Sequence, residues 1–138
     1  DRKKDIIVNA GGDNIAPQRI EGFLTLQPEI AQAMIYGDRK PNLSALIVPD
    51  PEFISDWSKI NGGTNQAALV DHGYFRKAIS AAIDRVNADL SVIEKVRRFI
   101  IVAEPFTIEN EMMTPSMKIR RHIIKEHYGE ALEALYVR

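Results

Sequence analysis

Ile30-Ala31-Gln32-Ala33-Met34-Ile35-Tyr36-Gly37-Asp38-Arg39-Lys40-Pro41-Asn42-Leu43-Ser44-Ala45-Leu46-Ile47-Val48 is the run on which the architecture turns. Its opening residues alternate: Ile30, Gln32, Met34 and Tyr36 fall on one side, Ala31, Ala33 and Ile35 on the other. That period of two belongs to an extended strand. Asp38 to Asn42 are turn formers, and Leu43 to Val48 make a second strand. Two strands joined by a polar turn predict an antiparallel hairpin. Both faces carry apolar residues, so the sheet is expected to be covered, at least partly, on each side.

Working outward, Ile6 to Val8 read as a short strand, and Asn9-Ala10-Gly11-Gly12-Asp13-Asn14 as a tight loop or hairpin tip. Pro17 opens a helix over about 17 to 27 with Ile20, Phe23, Leu24 and Leu26 on one apolar face. On the other side, Pro49-Asp50-Pro51 ends the second strand. Asp50 caps a short helix with Pro51 at its first position and Phe53, Ile54 and Trp57 along it. Ile60 to Asn65 form a polar loop, expected to be mobile or variable. Phe75, Ile79, Ala82, Val86, Leu90 and Ile93 recur at helical spacing, predicting a long core-facing helix that ends near Ala88 to Leu90. A strand follows over 99–103. A last helix starts at Lys118 or just after it, with Gly129 as a break point. The fold class is α+β: a small mixed domain with an antiparallel hairpin-containing sheet flanked by helices.

A chain of 138 residues fits one domain. Hydrophobic residues at 45%, charged residues at 27% and a net charge of -1 describe an ordinary globular composition and give no footprint for nucleic acid or a membrane surface. The absence of cysteine excludes disulfides, a thiolate nucleophile and a cysteine zinc site. His72, His122 and His127 do not form a metal set, since His122 and His127 point to different helix faces. No apolar run approaches the roughly 20 residues that span a bilayer. These features make an intracellular, cytoplasmic protein the expectation. The chain opens without methionine on Asp1-Arg2-Lys3-Lys4-Asp5 and enters a strand at once, as a domain within a longer polypeptide would.

Three segments carry residues suited to chemistry. Asn9 to Asn14 can present backbone N–H groups to an anion, but lack both nucleotide-binding glycine spacings, so a plain hairpin turn is the default reading. Arg2-Lys3-Lys4-Asp5 reads from composition as a solvated linker. Met113-Thr114-Pro115-Ser116-Met117-Lys118-Ile119-Arg120-Arg121 sets a cation where a helix is predicted to begin, which is unfavourable against the helix dipole unless an anion is brought to it. Without aromatic interleaving, these cations do not make a nucleic-acid surface. Lysine serves acyl or phosphoryl chemistry as a mobile point charge. With no Ser/His/Asp set and no paired carboxylates, the chain reads as contributing a residue to a site completed elsewhere.

Taken together, the two ends carry a resemblance. Arg2 to Glu21 closely resemble the opening of the C-terminal domain of AMP-forming acyl-CoA synthetases, and Thr114 to Arg121 resemble that domain's terminal lysine motif in its long-chain fatty acid–CoA ligase form. The resemblance spans the chain: residues 1–138 as a single C-terminal domain, 1–5 a hinge-proximal segment and 6–138 the globular part, with the large N-terminal adenylating domain absent. It implies a lid that rotates between two half-reactions, converting fatty acid, ATP and CoA into acyl-CoA, AMP and pyrophosphate. Lys118 resembles the adenylation lysine, Lys4 the hinge, and Arg2 the arginine that contacts the ribose. Gly11, Gly12, Asp13 and Asn14 resemble the loop presented to the CoA thiol arm, and Glu21 a conserved glutamate of the first helix. Asp1 stands where glycine is usual, and Ser116-Met117 replace the Ser/Thr-Gly of shorter-chain relatives. ATP, CoA and Mg2+ are then implied for the full-length enzyme, with no metal ligand here and nothing tightly bound to this fragment, which is expected to be inactive alone. The implied partners are the N-terminal domain, the substrates and, for a long-chain lipid, peripheral contact at the inner membrane face. The alternatives are a ligase for a different acid, or a non-catalytic remnant acting in protein interaction.

Overall fold

The computed structural model describes residues 5–61 and 72–137. A two-stranded ribbon, β1 (Ile7–Val8) against β2 (Asn14–Ile15), leads into α1 (Pro17–Leu24). The central hairpin is β3 (Ile30–Tyr36) and β4 (Leu43–Pro49). Helices α2 (Pro51–Asn61) and α3 (Gly73–Asn87) precede β5 (Val96–Ile101), and α4 (Arg121–Ala134) closes the chain. The three long strands run β3-β4-β5, antiparallel in the first pair and parallel in the second. The α+β expectation holds.

β4 is the middle strand and is buried along its whole length. Its alternation explains the two cores. Ala45 and Ile47, with Ala33 and Ile35, face Ile20, Leu24, Phe75 and Ile79 from α1 and α3. Leu46 and Val48, with Met34, face Phe106, Met112, Ile124 and Leu132. Both faces are therefore covered, as the apolar pattern predicted. Asp50 caps α2 by accepting from the Phe53 N–H at 3.1 Å, with Pro51 at the first helical position.

Several boundaries differ from expectation, each for a physical reason. Ile30 packs with Ala33 and Ile35, not opposite them, because a bulge between Ile30 and Gln32 shifts the register. α3 stops at Asn87, whose amide side chain then brackets Val96, donating to its carbonyl and accepting from its N–H, both at 2.9 Å. That bracket starts β5 at Val96, earlier than residue 99. Gly129 does not break α4, since Ile124 and Leu132, both 0% exposed, anchor the helix on either side. The cost of one helical glycine, roughly 1 kcal/mol, is smaller than the burial of those two side chains. The polar loop expected over Ile60 to Asn65 lies outside the described residues from 62 onward, and Ile60 and Asn61 finish α2.

Candidate functional site

Lys118 is not at a helix start. The Thr114 carbonyl accepts from the Met117 N–H at 2.9 Å across Pro115 and Ser116, a tight turn with proline in its favoured second place. The Thr114 N–H then donates to the Lys118 carbonyl at 2.8 Å, and the Lys118 N–H to Thr114 Oγ1 at 3.1 Å. Met113 bridges Ile119, and the Arg120 N–H donates to the Met112 carbonyl at 2.7 Å. Lys118 thus sits on the return arm of a small hairpin, and α4 begins three residues later at Arg121. The dipole argument moves with it: the hairpin, not the helix terminus, fixes this lysine. Closing the turn sets Met117 at φ 66, a left-handed backbone that side chains disfavour.

The Lys118 side chain is exposed, and its ammonium makes no ion pair or hydrogen bond to the described residues. It lines an open groove of about 530 Å3 with Asp5, Gln18, Glu21, Thr114, Ile119 and Arg121. The first described residue and the terminal lysine motif therefore share one depression. Arg2 and Lys4 lie outside the described residues.

One ion pair holds that groove together. Glu21 lies on the apolar face of α1 between Ile20 and Leu24, and Arg121, first in α4, reaches it with both terminal nitrogens, at 2.5 and 3.0 Å. Glu21 also accepts from the Ile35 N–H of β3 at 2.7 Å. The side chains are 10% and 11% exposed, so the bond is shielded from water. Burial pushes the Glu21 carboxyl up, although Arg121 and the Ile35 N–H favour its charged form. Burial alone would lower the Arg121 guanidinium, but the Glu21 hydrogen bond and charge raise it. Arg121 Nε lies 3.7 Å from Asp5, which also accepts from Gln18 at 3.1 Å. Sequence reasoning singled out Glu21 only through resemblance and missed its partner. The available signal was a carboxylate on a helix's apolar face, which needs a buried cation.

Gly11 to Asn14 form the tip and outgoing arm of the β1–β2 ribbon. Asn9, 8% exposed, folds the tip: its Oδ1 accepts from the Asp13 N–H at 2.9 Å, and its carbonyl from the Gly12 N–H at 3.0 Å. Gly12 has φ 86, with open space where a Cβ would stand, so glycine is needed for backbone angle rather than room. Gly11, Gly12, Asp13 and Asn14 are exposed and line neither the Lys118 groove nor the two that adjoin it around Asp5. Lysine and loop therefore occupy separate places on the domain. Among the described residues, no group of three His, Asp or Glu side chains is placed to hold a metal ion, and no helix is long and apolar enough to cross a membrane.

Comparison with known proteins places this arrangement among adenylate-forming enzymes. Over its whole length the fold is similar to the adenylation domain of a carboxylate reductase from Mycobacterium chelonae, with a TM-score of 0.83 and 30% identity, covering 20% of that chain. A carboxylic acid reductase A domain from Segniliparus rugosus, solved with AMP and a co-purified carboxylic acid, gives 0.81 and 29% over 99% of this chain and 20% of that one. Among curated relatives, the long-chain-fatty-acid–CoA ligase FadD15 of Mycobacterium tuberculosis is 38% identical over 98% of this chain and 23% of its own length. The peroxisomal long chain acyl-CoA synthetase 7 of Arabidopsis thaliana is 35% identical over 99% of the chain and 20% of its own length. The chain thus spans about a fifth of the relatives it matches. The family model of the AMP-binding enzyme C-terminal domain matches residues 4–138, and the chain belongs to that family.

Proposed function

We propose that this chain is the mobile C-terminal domain of a long-chain fatty acid–CoA ligase and contributes Lys118 to the adenylation half-reaction. The observation that carries the reading is the Lys118 ammonium, unpaired among the described residues and held by a hydrogen-bonded hairpin in a groove that also contains Asp5, the residue after the proposed hinge. In adenylation, the fatty-acid carboxylate attacks the α-phosphorus of ATP; a phosphorus–oxygen bond forms as the bond to pyrophosphate breaks. Lys118 offsets the approach of two anions and the charge developing at phosphorus. Mg2+ is held with ATP on the other domain. The CoA thiol then attacks the acyl carbonyl and AMP leaves, with the loop of Gly11, Gly12, Asp13 and Asn14 against the thiol arm. Arg2 contacts the ribose, and Lys4 is the residue about which the domain turns. The whole enzyme acts in the cytoplasm, in peripheral contact with the inner membrane face where its lipid substrate partitions.

The test is Lys118→Ala in the full-length enzyme. Pyrophosphate-forming adenylation is expected to fall by about 100-fold or more, with thioester formation from supplied acyl-AMP much less affected. Equal loss of both half-reactions overturns the assignment.

The solved carboxylate reductase adenylation domains favour a second reading: a reductase domain passing the acyl group to a carrier-borne thiol. Turnover with free CoA as the sole thiol separates the two, since it is required by the ligase reading.

A further inference from the structure

The far end of α4 makes a second polar assembly, remote in sequence from the Lys118 groove. Lys40 Nζ bonds Glu133 at 2.5 Å and lies 5.3 Å from the centre of the Tyr136 ring. The Tyr36 hydroxyl also donates to Glu133. The Tyr136 hydroxyl reaches the Asn42 carbonyl at 2.9 Å and Ser44 Oγ at 3.0 Å, where Ser44 is fully buried. These contacts grip the β3–β4 turn, residues 37–42, from both sides. The same turn carries the glycine loop on its other edge. The Ala10 N–H donates to the Lys40 carbonyl at 2.9 Å, the Arg39 N–H to the Val8 carbonyl at 2.7 Å, and the Val8 N–H to Asp38 Oδ1 at 3.1 Å.

Two features show that the turn is held and not merely resting there. Arg39 has φ 63, a left-handed backbone for a residue with a long side chain, so other contacts must impose it. Gly37 sits against Leu43, where a Cβ would come within 2.7 Å of the Leu43 side chain, so the turn closes tightly. Its Lys40 side chain and Lys40 carbonyl point to different clients: the ammonium to Glu133, the carbonyl to the loop.

We infer that Glu133 and Tyr136 are positioning residues for thiol capture: by clamping the β3–β4 turn, they set the height and orientation of the Gly11–Asn14 loop. The inference rests on the proposed role of that loop in receiving the CoA thiol arm. It adds a control point at the end of the final helix that does not line the Lys118 groove and reaches the loop only through the Lys40 turn. The clamp is partly electrostatic and exposed, so it can be released without emptying the core.

The test separates the two half-reactions in the full-length enzyme. Glu133→Lys and Tyr136→Phe are expected to raise KM for CoA roughly tenfold, while pyrophosphate-forming adenylation stays within about twofold of the parent. The paired exchange Lys40→Glu with Glu133→Lys restores the opposite charges and is expected to recover most of the KM. Gly12→Val, which strains the loop directly, serves as the control. If Gly12→Val impairs thioester formation and the clamp variants do not, the loop reading stands and the clamp is overturned. If Gly12→Val is also silent, the loop reading falls and takes the clamp with it. If the clamp variants reduce adenylation and thioester formation alike, or the charge exchange fails to rescue, Glu133 and Tyr136 serve general stability and the inference is overturned.

Discussion

Arg121→Met is the most informative single change, because it removes the cation and keeps much of the volume. Glu21 would retain one hydrogen bond, from the Ile35 N–H at 2.7 Å, in a setting where its side chain is 10% exposed. Removing one partner of a buried ion pair costs about 3–5 kcal/mol. Protonation sets a ceiling on that loss. Neutralising a carboxyl whose ordinary value is 4.5 at pH 7 costs about 1.4 kcal/mol per pH unit of separation, about 3.4 kcal/mol in all. At pH 5 the same step costs about 0.7 kcal/mol. The variant is therefore expected to lose about 3–4 kcal/mol at pH 7 and about 1 kcal/mol at pH 5, allowing for lost packing. The sign follows from linkage: a carboxyl raised in the folded state binds protons there first, so folding regains stability as pH falls. Urea denaturation of the 138-residue chain at the two pH values reads both numbers. Glu21→Gln combined with Arg121→Met removes both charges and should recover at least about 2 kcal/mol of the pH 7 loss. A loss under about 1 kcal/mol at pH 7, or one unchanged at pH 5, would show that water reaches Glu21 and that the pair is not the clasp described.

Two other outcomes are accessible on the same chain. Met117→Gly relieves a φ of 66 worth about 1–2 kcal/mol but frees the unfolded chain by about 0.4–1 kcal/mol, for a net gain of about 0.5 kcal/mol in a thermal melt; a loss would mean that the exposed Met117 side chain is held by contacts. Burial, reinforced by the hydrogen bond and charge of Glu133, pushes the Tyr36 phenol from 10.0 up to about 12. The folded state then keeps a proton that the unfolded state releases, so stability falls as pH rises through that window. Burial also raises Tyr128 and Tyr136, so ultraviolet titration should show the component at about pH 12 lost in Tyr36→Phe, and an unchanged late component in that variant would contradict the assignment.

The hairpin was legible because alternation in the first strand and the turn formers Asp38 to Asn42 are local signals, followed at once by the apolar run Leu43 to Val48. The Asp50 cap and Pro51 were legible for the same reason: cap chemistry depends on neighbours in sequence. What escaped was set by contacts between distant residues. The register shift at Ile30 to Gln32 accompanies a clamp in which the Gln32 amide exchanges two hydrogen bonds with Phe106, at 2.7 and 2.9 Å. The helix start predicted at or just after Lys118 falls at Arg121, because Ile119 and Ile123 extend the helical spacing backward while the Arg120 N–H is already committed to Met112. The pattern singled out Lys118 and misplaced its support. Arg121 was legible as a charge, but not as the partner of a glutamate 100 positions away.

The clasp between Glu21 and Arg121 also has a mechanical meaning. Asp5 is bound to Gln18 and faces Arg121, and Arg121 adjoins the hairpin that carries Lys118. Under the proposed hinge at Lys4, a torque applied upstream of Asp5 would turn the lysine with the domain body, as a key turns its bit, and would not merely swing a loose arm. In that proposed rotation, loosening the clasp would introduce backlash: the same turn at the pivot would deliver Lys118 over a spread of angles, and the defect would register as imprecise timing before it registered as unfolding.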